Sequence, residues 1–271
     1  MESNGRDPTG LNLCPLQPRD MLVKDDTGTK VLLGSLISFD IIACASTRSQ
    51  PCLKLDHKRI LDIFSIDLGS LFGCANQVMI LILEIALLDN WKKEAEKNRQ
   101  LSMVELVKRG AKIEERLQQE IKDLESVESL GLSSEGNSGN TLSASRNEIT
   151  NIFTLSALTY LNVVISGAQP ELPEIVKSVS KTIAAFRCLS EPRLLRNLVW
   201  PLCVSGCLAL KEHQSFFRNL VSKADVSHAT LGTCAQAFKI VEQCWEMRET
   251  CSFNCDWVYI MTKLGSDILL I

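Results

Sequence analysis

The sequence predicts an all-α protein of stacked antiparallel helices with one flexible insertion. Apolar residues recur three or four positions apart along most of the chain, the spacing that gathers them on one helical face. Strand signals are poor: no Asn-Gly or Asp-Gly pair joins two alternating runs. No repeat of fixed period is evident either.

Residues 1–28 hold Pro8, Pro15, Pro18, Gly5, Gly10 and Gly28 with few periodic apolar positions, and read as a flexible N-terminal tail. Residues 29–271 read as one helical domain. Its first helix, over 31–45, is apolar nearly all round, so it should be buried on several sides. A second helix, from Gly73 to about Lys97, begins apolar and ends in the charged stretch KKEAEK, which should project into water. Residues 103–128 are amphipathic, with Val104, Val107, Ala111, Ile113, Leu117, Ile121 and Leu124 as the apolar set. One step, Ala111 to Ile113, breaks that spacing. Residues 129–146, SLGLSSEGNSGNTLSASR, lack the apolar surface needed to offset ordering entropy and read as a disordered linker.

Helix resumes at 149–165, with Tyr160 as its large aromatic. Pro173 suits the first turn of the next helix, where a missing N–H is harmless. That helix should present Ile175, Val176, Val179, Ile183, Phe186 and Leu189 on one face. Ser190 can cap the following helix, with Pro192 in its first turn. Trp200-Pro201 predicts a kink or break, because proline clashes with the carbonyl four residues back, and a further helix should run to Leu210. Segments 212–222, about 230–248 and 255–264 complete the set.

The chain has 271 residues, 45% of them hydrophobic, enough for a sizeable core. Its net charge is −3. Duplex nucleic acid needs several Lys or Arg aimed at phosphates. The nearest group, Lys92, Lys93, Lys97 and Arg99, is interrupted by Glu94 and Glu96 and reads as a solvated helix face. The apolar run 68–88 is long enough to span a bilayer, but Asn76, Gln77 and Glu84 interrupt it, so a buried central helix is expected and no membrane partner.

The eleven Cys are an odd number scattered through apolar stretches behind a polar leader, which suits reduced, packed thiols better than a disulfide framework. No Cys-x-x-Cys occurs. Cys203 and Cys207 share a helix face and could join His213 on one metal, but their apolar flanks favour packing. Three histidines occur, His57, His213 and His228. No Gly-x-Ser-x-Gly elbow accompanies them, and His57 and His213 read as surface helix positions. Phosphate-loop glycine patterns are absent. No catalytic, cofactor-binding or metal-ligating residue is assigned, and no cofactor is expected.

Four blocks carry a resemblance: GSLISFDIIACASTRSQPCL (34–53), LFGCANQVMILILEIALLDNWK (71–92), LVWPLCVSGCLALKEHQSFF (198–217) and FKIVEQCWEMRETCSFNCDWVYIM (238–261). Their order and spacing resemble the fungal-specific transcription factor domain, second type, the C-terminal regulatory region of fungal zinc binuclear-cluster factors. The resemblance implies a helical regulatory domain in the nucleus, controlling RNA polymerase II transcription of a metabolic or secondary-metabolite gene set. It implies other regulators or coactivators as partners, as homodimer or heterodimer, and a small-molecule effector. Residues 1–30 contain only Cys14, so the six-cysteine cluster has no counterpart here. DNA is then reached only indirectly, through a partner or a missing cluster. The alternative is a helical small-ligand-binding protein or metabolic enzyme, which a histidine paired with Cys, Asp or Glu in a closed pocket would favour.

Overall fold

A computed structural model describes residues 27–131, 139–224, 232–250, 255–265 and 270. Among them every regular element is a helix and no strand occurs. The helices are α1 (Thr27–Thr47), α2 (His57–Ile63), α3 (Leu68–Phe72), α4 (Asn76–Lys97), α5 (Met103–Gly131), α6 (Gly139–Ser166) and α7 (Pro173–Arg187). A 3-10 helix, Pro192–Leu198, leads into α8 (Val199–Cys207), α9 (Lys211–Lys223), α10 (Gly232–Thr250) and α11 (Trp257–Leu264).

Helix α6 is the axis. It packs against α4, α5, α7 and α8, while α8 lies on α10 and α1 lies on α4. Its Tyr160, Leu161 and Val164 have no exposed surface. Among the described residues two helices are long and apolar enough to cross a membrane, α1 and the 142–166 part of α6, and the most apolar part of the latter is 83% buried within the protein. Helix α4 buries Val78, Leu81, Ile82 and Ile85 completely. Each such side chain contributes about 1.5–3 kcal/mol of transfer free energy. Two of the polar residues that interrupt the 68–88 run, Asn76 and Glu84, have specific work. Asn76 accepts from the Leu68 N–H (2.8 Å) and donates to the Ile66 carbonyl (2.7 Å), fastening α4 to the start of α3. Glu84 pairs with Arg116 of α5.

Several elements differ from the sequence expectation, each for a visible reason. Helices α2 and α3 have only seven and five residues, too short to show periodicity. Aspartates start them: Asp56 accepts from the Arg59 N–H and Asp67 from the Gly69 N–H. On α5 the buried set is Leu106, Ile113, Leu117 and Ile121. Val104 and Val107 are exposed instead. The register is set by Gly110, where Ile165 of α6 comes so close that a Cβ would lie 2.5 Å from its Cδ1. The irregular Ala111–Ile113 step was the trace of this in the sequence.

Residues 27–28 already belong to α1, whereas 1–26 lie outside the described residues. The Ser/Gly/Asn-rich segment is helical at both flanks, through Gly131 and from Gly139, and 132–138 lie outside the described residues. Arg146 anchors the second flank by pairing with Asp67 and by donating to the Ser70 hydroxyl. The expected Ser190 cap is absent: Glu191 stands at the N-cap without a side-chain bond. Ser190 turns to α6, where its N–H and hydroxyl both donate to Glu148 at 3.0 Å. The break expected at Trp200-Pro201 falls earlier, between Leu198 and Val199. Both residues then occupy the first turn of α8, where Pro201 has no hydrogen bond to lose. That helix stops at Cys207 rather than Leu210. Leu189 lies beyond α7; of its other expected core residues, Ile175, Val179, Ile183 and Phe186 are buried, while Val176 is only half-buried.

Gly73 ends α3 in the left-handed region (φ +83°), and a Cβ there would meet the Ile149 Cδ1 at 2.6 Å. Gly73→Ala therefore combines backbone strain with overpacking and should cost about 2–4 kcal/mol. A thermal melt checks this; an unchanged Tm would mean that the α3–α6 contact is loose.

Candidate functional site

Three of the four sequence blocks converge on the corner that follows α1. Arg48, itself in the left-handed region (φ 53°), is its centre. The guanidinium donates two parallel bonds to Asp89 of α4 (2.8 and 2.7 Å) and a third to Asp256 (2.5 Å). Lys93 adds a contact to Asp89 at 3.0 Å. Asn90 donates to the Ser49 carbonyl, and Trp257 Nε1 donates to the Ser46 carbonyl at 2.9 Å. Asp256 also caps α11 by accepting from the Tyr259 N–H. Burial works to raise the Asp89 carboxyl, but the hydrogen bonds and charge of Arg48 prevail and hold it below the usual carboxylate range.

The fourth block joins through aromatic contacts. Tyr160 meets Trp257 and Trp200 edge-to-face, with centroids 5.8 and 6.1 Å apart, and Trp200 stacks on Phe153. Trp245 donates its Nε1 proton to the Gly206 carbonyl at 2.9 Å, and a Cβ on Gly206 would touch both Val241 methyls at 3.0–3.1 Å. A side chain at this position would have to push Val241 back by a few tenths of an ångström, so the approach of α8 to α10 is tight here. The blocks describe a packed interior, not an exposed constellation.

His57 corrects the sequence reading: it is buried, not a surface position. Its Nε2 lies 2.8 Å from Asp40 and its Nδ1 lies 3.0 Å from the Leu55 carbonyl. Asp40 also accepts from the Cys52 and Leu53 N–H groups. Both ring nitrogens are thus committed to fastening residues 52–57 onto α1, and the pair lies in packed protein. His213 is half-buried on α9, 3.6 Å from Glu212, and His228 lies outside the described residues.

Cys203 and Cys207 of α8, Cys244 of α10 and Cys255 before α11 form a row of neighbouring thiols. Burial, then Cys203, raises the Cys207 thiol well above its ordinary value, and hydrogen bonding to Cys207 does the same for Cys244. Such thiols stay protonated and pack as small apolar groups. Among the described residues no three His, Cys, Asp or Glu side chains are grouped to hold a metal ion.

The concave feature of interest is a cleft of about 270 Å³ between α1, α3, the start of α4, α6 and the 3-10 helix, with the buried Leu270 completing its lining. Its floor is buried and mostly apolar: Ser38, Ile42, Cys74, Met79 and Phe153. Its mouth carries Phe39, Arg196 and Asn197, all exposed. Phe39 and Phe72 form an edge-to-face pair at one wall. The Ser38 hydroxyl is buried without a partner, and the Arg196 guanidinium makes no hydrogen bond or ion pair among the described residues. The sequence allowed a small-ligand-binding protein as the alternative but pointed to none of these residues. The available signal was a single serine in the apolar stretch LISFDII.

A family model described as a fungal specific transcription factor domain matches residues 11–271. The chain is 33% identical over 245 residues to the trichothecene biosynthesis transcription regulator of Trichoderma arundinaceum, covering 89% of this chain and 54% of that protein. It is 31% identical to the ustiloxin B cluster transcription factor of Aspergillus flavus, covering 87% and 41% of the two chains. A transcription factor of Pestalotiopsis microspora is 29% identical, with 91% and 42% covered. The chain thus spans about half the length, or less, of these relatives. No solved structure matches it.

Proposed function

Because this chain belongs to the fungal specific transcription factor domain family, we propose that it is the regulatory module of a nuclear transcription regulator. Its target is the gene set of one secondary-metabolite pathway, and it carries out no turnover chemistry. The observation that supports this reading is where the block residues lie. Arg48, Asp89, Trp200, Asp256 and Trp257 serve one shared interior. What remains for function is surface: helix faces for partner proteins and one amphipathic cleft. The names of the relatives supply the target class, since they regulate trichothecene biosynthesis and the ustiloxin B cluster.

A net charge of −3 and the interrupted Lys92–Arg99 basic group suit a module that reaches DNA through a partner or through a zinc cluster carried elsewhere. Purified chain should give no sequence-specific shift on promoter DNA at physiological salt. Fused to a heterologous DNA-binding domain, it should alter reporter transcription. Tight, sequence-specific binding by the chain alone would contradict the proposal, and so would steady conversion of a substrate by clean protein.

A further inference from the structure

We propose that the cleft bounded by Ser38, Met79 and Arg196 binds a small apolar monocarboxylate that carries one further oxygen. Each part of that description comes from a wall of the cleft. The volume of about 270 Å³ is nearly twice the ~150 Å³ of a dry cavity that holds one benzene. There is room for two fused rings or a comparable aliphatic skeleton. The lining favours such a body: Ile42, Met79 and Phe153 are buried, and Phe39 stands at the rim. Met79 offers a polarisable sulfur to a ring.

The polar groups set the ligand's direction. Arg196 is exposed at the mouth and has no carboxylate among the described residues. A guanidinium fork is the geometry that takes a carboxylate through two parallel bonds. At the other end, Ser38 is 4% exposed, and its buried hydroxyl has no partner. A buried hydroxyl left unpaired is unfavourable. A ligand oxygen reaching the floor would satisfy it. One anionic end outside, one oxygen inside and an apolar body between them describe a hydroxylated or keto acid rather than a sugar, a nucleotide or a plain hydrocarbon.

The test uses 6-hydroxy-2-naphthoate, which has all three features, with 2-naphthoate and methyl 6-hydroxy-2-naphthoate as controls. Binding is measured calorimetrically on the purified chain, so the result does not depend on whether the chain regulates transcription. The hydroxy acid should bind more tightly than either control. Arg196→Gln should weaken the acid about tenfold or more and leave the ester unchanged, because a charge-assisted pair is lost. Ser38→Ala should weaken the hydroxy acid and leave 2-naphthoate unchanged. Both variants should fold, since one removes an exposed side chain and the other an unpartnered hydroxyl. The Met79 methyl resonance should shift on binding. Absence of binding at millimolar concentration, equal binding of acid and ester, or binding that neither variant alters would overturn the proposal.

Discussion

Arg48→Met should destabilise the protein by about 3–5 kcal/mol at neutral pH, the range for breaking a buried ion pair from one side. The methionine keeps most of the volume but leaves the Asp89 carboxylate, 1% exposed, with only the half-exposed Lys93 beside it. Asp256 loses the same partner. The pH dependence separates this from a packing defect. In the native protein Asp89 titrates below the usual carboxylate range, because Arg48 outweighs the burial that would raise it. Its stabilising contribution is full above the unfolded value of about 3.9 and is lost as pH falls through the folded value. Without Arg48, burial dominates and the folded value rises. Protonation then relieves the variant as pH falls. The gap in Tm between the two proteins should therefore narrow from pH 7.5 to pH 5. A gap of constant size would mean that the ion pair is incidental to the packing around it.

Trp200→Ala should cost about 3–5 kcal/mol, the range for large-to-small aromatic changes in a core. Trp200 is completely buried and touches both Phe153 and Tyr160. Its Nε1 proton has no partner, so part of its contribution is already offset by a buried, unsatisfied N–H. Trp200→Phe, which removes that group while retaining a ring, should lose clearly less than Trp200→Ala. Denaturant unfolding of the three proteins checks both statements. Equal losses in the two variants would show that the ring contacts contribute little.

Regular, one-sided helices were legible in the sequence because one physical rule writes them. Helix α7 shows its core face at Ile175, Val179, Ile183 and Phe186, and Pro173 marks its start. What was not legible depends on residues far apart in the chain. His57 looks like a surface residue until Asp40, seventeen positions earlier, is placed beside it. Val104 and Val107 fit a helical stripe, yet the close approach of Ile165 at Gly110 rotates α5 away from them. The short helices α2 and α3 are set by single aspartates rather than by periodicity. The cleft was invisible for the same reason: Ser38 and Arg196 lie 158 positions apart and meet only when α1 and the 3-10 helix share a wall.

The Arg48–Asp256 pair closes a loop of 208 residues. During synthesis the early corner must wait, half neutralised, until the segment that carries Asp256 has been made. Closing so long a loop carries an entropic cost that is recovered only when α11 docks. Folding should therefore finish as one late cooperative step, and a product cut short before Asp256 would expose an incomplete charge cluster to the cell's quality control.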